Sequence, residues 1–423
     1  FVFCLSLFCL TGSKLRFGYL GENFDQAEAW LRGELVTRPE GGLEPFAKTG
    51  LIEVVAALPF VGVKVLLQKL GAAPGLQQLA HVFSEPFYTA LLCLAFFGLA
   101  LRLYASAGVA AFLTLVLALT TMVWPYSKFG METQITLWTL VGIWALIGYA
   151  AQPTRACAAW IAVAIAGVML TKITGVLHAA WLVGALAWLK LRGRWWTRPG
   201  ARRDALIGGA IVVAGVVAFL LGNRWRFGGW VWGGRYGFGS EMQPIPFWES
   251  FWAFLASPNK SFLLYSPAAL VALWFWGAFW RRFPVMRPVL VGAVAVTVFH
   301  LTARTWAEET WGPRRMHYLV PLAILPLGIW WQRRAGLRGW VRRLGWLALA
   351  FGLWVQAVAV SFDYTALAFT LGFNPVFSQE NQVWDPQFNH LRFNLHLMRS
   401  AAHRRRTGES LPYVLDEHYM GWT

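Results

Sequence analysis

Charge is what this sequence has least of. Asp, Glu, Lys and Arg make up 13% of its 423 residues, against roughly 25% in a soluble domain, which excludes an ordinary water-soluble fold. Acid is the scarcer sign, with 20 carboxylates against 37 lysines and arginines. Only four cysteines occur, Cys4, Cys9, Cys93 and Cys157. All lie in apolar runs, with neither metal-ligand spacing nor a disulfide framework. HExxH, CxxC and carboxylate pairs at metal spacing are missing too, so no essential metal is expected. Long stretches of alternating apolar and polar residues are absent, which argues against a membrane β-barrel. The net charge of +17 comes without an RNP, zinc-finger or helix-turn-helix pattern, so nucleic acid is not the expected partner.

What is present is apolar and continuous. Hydrophobic residues make up 57% of the chain and the mean hydropathy is +0.49, the signature of an all-α polytopic membrane protein. Spans are expected at about 85–104, 108–124, 133–151, 156–170, 175–191, 205–221, 261–280, 288–302, 317–331 and 345–361. The opening run Phe1–Thr11 is shorter than the ~20 residues a crossing needs. It reads as the remainder of a first helix, making eleven spans in all. The run 51–70 is interrupted by Glu53, Pro59, Lys64 and Lys69 and is expected to lie in the interface rather than cross it. The expected division is a transmembrane domain over 1–361, with an outer loop and interfacial helices at 14–70, and a tail over 362–423.

Alternate loops fix the orientation. One set carries sixteen basic residues, among them Arg102, Arg155, Arg198, Arg203, Arg281, Arg282, Arg333 and Arg343, against one acid, Asp204. That face is expected to be cytoplasmic. The outer face nevertheless keeps Lys48, Lys128, Lys172, Arg224, Lys260, Arg314 and Arg315, and a bound anion such as a lipid phosphate would account for them. Seven of the twenty acids crowd the early polar segment 14–59: Glu22, Asp25, Glu28, Glu34, Glu40, Glu44 and Glu53. Glu22, Asp25 and Glu28 are three apart and neighbour one another if the segment is helical.

Five outer stretches, in order, carry a resemblance: WPYSKFGMET (Trp124–Thr133), NRWRFGG…RYGFGS (Asn223–Ser240), ASPNKSFLLYSP (Ala256–Pro267), WAEETWGPRRMHYLVP (Trp306–Pro321) and VWDPQFNHL (Val383–Leu391). Together they resemble the integral-membrane glycosyltransferases of the GT-C superfamily, related to the dolichyl-phosphate-mannose protein mannosyltransferases and the lipid A aminoarabinose transferases. The resemblance implies a multi-helix bundle whose first outer loop bears an acidic catalytic residue. It also implies a polyprenyl-phosphate-linked sugar as donor and a glycan, lipid or protein as acceptor on the outer face of the cytoplasmic membrane. The candidate bases are Glu22, then Asp25, then Glu53, since a carboxylate must take the proton of the acceptor hydroxyl. Arg314 and Arg315 lead as phosphate ligands because Gly312-Pro313 sets a turn just above a span, with Lys48 and Lys260 next. A transporter or lipid flippase would also explain helices around a basic groove, but no repeated pair of broken helices supports one.

Overall fold

The computed structural model describes residues 1–11, 18–34, 50–128, 130, 132–193, 200–227, 230, 245–303, 311–362 and 383–409. Among these residues every regular element is a helix. In chain order they are α1 (Val2–Leu10), α2 (Gly18–Leu31), α3 (Leu51–Lys69), α4 (Pro74–Tyr104), α5 (Ala107–Thr120), α6 (Val123–Tyr126), α7 (Thr133–Ala151), α8 (Arg155–Thr171) and α9 (Gly175–Gly193). The second half comprises α10 (Ala201–Phe227), α11 (Phe247–Ala256), α12 (Phe262–Tyr265), α13 (Ala268–Arg282), α14 (Arg287–Leu301), α15 (Leu319–Ile324), α16 (Leu327–Arg333), α17 (Gly339–Ser361) and α18 (His390–Thr407).

Helices are the only open-chain elements that satisfy their own backbone in lipid. Six of the described helices are long and apolar enough to cross a membrane, and α5, α8 and α9 are shorter apolar helices. The protein is therefore a multi-pass membrane protein, although the expected count of eleven is not reached by length and apolarity alone. Two expected spans are interrupted. The run 261–280 breaks at Ser266-Pro267, between α12 and α13, and 317–331 breaks at Leu325-Pro326, between α15 and α16. Proline lacks the N–H that would continue the ladder and clashes with the preceding turn. The helix α3 meets the length and composition of a span with only 17% of its apolar window buried. Against α4, Tyr88 donates to the Ala56 carbonyl at 2.7 Å, and the Phe60 ring meets those of Phe87 and Tyr88 edge to face.

The bundle has two chemically distinct ends. The helix α7, 19 residues long, separates them by about 28 Å, close to the ~30 Å of a hydrocarbon core. At one end Arg102 lies over the Trp144 ring, 3.7 Å from its centroid, and Arg155 faces Asp204 at 3.9 Å. Arg282 donates to the Gln332 side chain at 2.6 Å, while Tyr104 donates to the Leu325 carbonyl at 2.6 Å. At the other end α7 begins with Glu132. Close approach of α7 and α8 depends on a small residue, because a Cβ at Gly167 would lie 2.6 Å from the Trp138 ring; such small-residue contacts are how helices pack without a hydrophobic drive between them.

Candidate functional site

Glu132 is the centre of the second end. It stands at the N-cap of α7 and is 3% exposed. The turn that delivers it passes through Gly130, whose φ of +62° suits glycine. Here a Cβ would also fall 1.9 Å from the Glu85 carboxyl carbon, so the backbone runs directly over that side chain. Lys172, which caps the C-terminus of α8, donates to one Glu132 oxygen. Arg314 places its Nε 3.5 Å from the other oxygen. Burial alone would push this carboxyl up, but Lys172, Arg315 and Arg314 outweigh it and hold the group down at about 2. Glu132 is thus an anion at any physiological pH.

The two arginines are held by a short turn. Gly312 adopts φ +64° with the Tyr265 ring where its side chain would be, 2.9 Å from a Cβ, and Pro313 follows. Arg314–Met316 then form one 3-10 turn in which both arginines are buried, at 7% and 6% exposure. Tyr126 donates to the Trp311 carbonyl at 3.0 Å, and Trp311 meets Tyr265 edge-on at 5.0 Å. These contacts clamp the turn from both sides. His317 completes the cluster. The Thr136 hydroxyl gives its proton to the Glu132 carbonyl at 2.8 Å, so it accepts from His317 Nδ1 at 2.8 Å. That fixes the tautomer with the proton on Nδ1.

The early acidic segment joins this end through backbone. The Gly50 N–H donates to the Thr171 carbonyl at 2.7 Å, next to Lys172. A Cβ at Gly50 would lie 2.0 Å from the Leu170 carbonyl oxygen, so the start of α3 is pressed onto the end of α8. Glu53, in the first turn of α3, accepts from Asn23 Nδ2 of α2 at 3.2 Å. Asp25 is exposed on α2, whereas Glu28 is buried and bonded to Lys64 and Arg32. Glu22 lies on α2, its side chain outside the described residues, as is Lys48 altogether. The carboxylates expected to neighbour one another along α2 therefore occupy different surroundings: Asp25 faces out, and Glu28 is committed to two cations that hold it below the usual carboxylate range against its burial.

The remaining expected ligand, Lys260, is 1% exposed, with its backbone N–H bonded to the Ser257 hydroxyl at 2.9 Å. Its turn is tied to the C-terminal segment, since Asn259 donates to the Asp385 carbonyl at 2.7 Å and Asn389 to the Pro258 carbonyl. Sequence reasoning placed Arg314 and Arg315 but gave no role to Glu132, and took Lys172 only as one of several outer cations. The available signal was modest: an acid opening one apolar helix and a lysine closing the next, which meet when the two helices pack antiparallel. Among the described residues no group of three His, Cys, Asp or Glu side chains is placed to hold a metal ion.

No family model matches the chain, and no curated protein matches it. Among solved structures, it is similar to ArnT from Cupriavidus metallidurans, determined bound to undecaprenyl phosphate. The TM-score is 0.56 at 15% identity, over 96% of this chain and 71% of that one. At this identity the likeness is one of fold alone, and it agrees with the resemblance carried by the outer motifs.

Proposed function

We propose that the protein is a membrane glycosyltransferase that moves a sugar from a polyprenyl-phosphate-linked donor to an acceptor on the outer face of the cytoplasmic membrane. The observation that carries this reading is the buried charge at the Glu132 end. Three cations, Lys172, Arg314 and Arg315, gather around one carboxylate. A lipid-linked sugar phosphodiester brings one negative charge, and the phosphate it leaves behind carries about two near neutral pH. Cations that meet the phosphate favour the more highly charged leaving group over the donor, which is the condition for lowering the barrier rather than merely binding. That the similar fold of ArnT was solved with undecaprenyl phosphate supports the same chemistry here.

In this reading the acceptor oxygen attacks the anomeric carbon with inversion. The bond from that carbon to the phosphate oxygen breaks, and its electron pair leaves on the phosphate. The hydroxyl proton goes to a carboxylate. Glu132 is unsuited to take it, because a group held at about 2 is a weak base near pH 7. Its role is to hold the cations in place before the phosphate arrives. The base is then one of the early acids, and Glu53 is favoured over Glu22 and Asp25 because the Gly50–Thr171 bond anchors its helix beside Lys172. Purified protein reconstituted with a polyprenyl-phosphate sugar should release the lipid phosphate, and the Lys172→Met variant should release it at least about tenfold more slowly. Equal rates in the two proteins would remove the cluster from the reaction.

A further inference from the structure

The C-terminal helix α18 has a face that the bundle does not use. Its N-terminus is capped by Asn389, whose side chain accepts from the Arg392 N–H at 2.8 Å, and Gly408 ends it in the left-handed conformation at φ +83°. His390, Phe393, Asn394 and Ser400 turn inward and are buried. Asn394 donates to the Val358 carbonyl at 3.2 Å, three residues before the end of the apolar helix α17. That bond sets α18 at the level where α17 leaves the hydrocarbon, at the end of the bundle that carries Glu132; the Trp311–His390 ring contact, at 6.4 Å, lies at the same end.

The opposite face has its own order. Leu391, Leu395, Met398 and Ala402 follow at i, i+4, i+7 and i+11, one apolar ridge along the helix. Met398 and Ala402 are exposed and the two leucines half-buried, Leu391 at the start of the ridge packing against the bundle core. Arg392, Arg399 and Arg406, seven apart, run along one flank of the ridge, and Arg405 lies on the other. All four arginines are exposed. The helix holds five arginines and no acid, and among the described residues none of the five has an ion-pair partner. A helix meant only for solvent would not need an apolar ridge between its arginines, and one meant only for the bundle would not leave Met398 and Ala402 uncovered.

We infer that α18 is a membrane-surface helix that docks on anionic phospholipid headgroups, with its apolar ridge among the headgroups and Arg392, Arg399, Arg405 and Arg406 on their phosphates. Basic flanks beside a narrow apolar stripe are the arrangement by which a helix lies in the interface, and each arginine near an anionic surface strengthens binding about fivefold. The inference rests on the helix alone and is independent of the transfer reaction. It is tested on the full chain in nanodiscs of phosphatidylcholine, with and without phosphatidylglycerol, by hydrogen exchange of the 390–407 amides. Phosphatidylglycerol should slow their exchange by about fivefold or more, and raising the salt to about 0.5 M should abolish the difference. In the R392Q/R399Q/R406Q variant the lipid effect should vanish, whereas the corresponding triple lysine variant should keep it. Equal exchange of the wild-type helix in the two bilayers, or a lipid effect that survives salt, overturns the inference even if the glutamine variant fails to fold.

Discussion

At the scale of the residue, the site depends on buried charges that compensate one another. The place of Arg314 and Arg315 in a charged cluster is legible in the sequence, because paired arginines after Gly-Pro, above an expected span, call for an anion, and Glu132 is there. Glu132 and Lys172 are not legible. Each is a single charge at a helix end, and only the packing of α7 on α8 makes them a pair. Changing Arg314 or Arg315 to alanine should weaken donor binding by ten- to a hundredfold, the worth of one charge-assisted bond at roughly 1.5–3 kcal/mol; titration of the purified variants with donor lipid checks this, and unchanged affinity in both would return the arginines to a structural role. Glu132→Gln leaves the cations unbalanced and should cost about 3–5 kcal/mol of stability. The sign with pH follows from a folded value near 2 against an ordinary 4.5. The wild type holds its advantage in full above the ordinary value and loses it as pH falls through the folded one. Thermal melts should therefore show a constant gap between the two proteins at neutral and mildly acidic pH, closing between 4.5 and 2.

At the scale of the element, the sequence announces helices well and their interruptions poorly. The apolar runs locate α4, α7, α10, α14 and α17 because lipid leaves a spanning segment few alternatives. The breaks at Pro267 and Pro326 carried their signal in plain view, but the flanking apolar residues read equally well as uninterrupted spans. The C-terminal helix was missed outright, since its ridge is narrow and its arginines dilute any hydrophobic pattern. The helix α3 shows the opposite case. Its polar interruptions suggested an interfacial position, yet by length and composition it qualifies as a span. Its seat on α8 can be tested with a matched pair. Gly50→Ala would drive a Cβ to 2.0 Å from a backbone oxygen, whereas Gly62, on the same helix, has nothing within 4 Å of its Cβ position. Gly50→Ala should lose most transfer activity, and Gly62→Ala should keep it while gaining up to about 1 kcal/mol of helix stability. If activity is lost equally in both, or in neither, the seat does not position the acid.

At the scale of the whole molecule, the two ends of the bundle divide the work. One end is basic and tied by Arg102, Arg155 and Arg282 to rings, an acid and an amide; the other gathers the buried cluster and the surface helix. By the loop charges the basic end is expected in the cytoplasm, so a reporter fused at Arg198 should be cytoplasmic and one fused at Gly408 extracytoplasmic. Finding both on one side would break the assignment. The fold class was legible because composition alone excludes a soluble protein, and the ordered outer motifs carried a resemblance with which the similarity in fold to ArnT agrees. The proposed base was not legible, because seven acids share one segment and what favours Glu53 is the anchoring of α3 beside Lys172. The most direct measurement joins that question to the reaction. Purified wild-type protein and its Glu53→Gln variant are each given a polyprenyl-phosphate sugar and an acceptor, and released polyprenyl phosphate is counted. The wild type should release it, and the variant should remain folded, bind donor, and release it about 10²–10⁴-fold more slowly. Release by the variant at the wild-type rate would move the base to Glu22 or Asp25; movement of intact donor across the bilayer with no release by the wild type would contradict the glycosyltransferase itself.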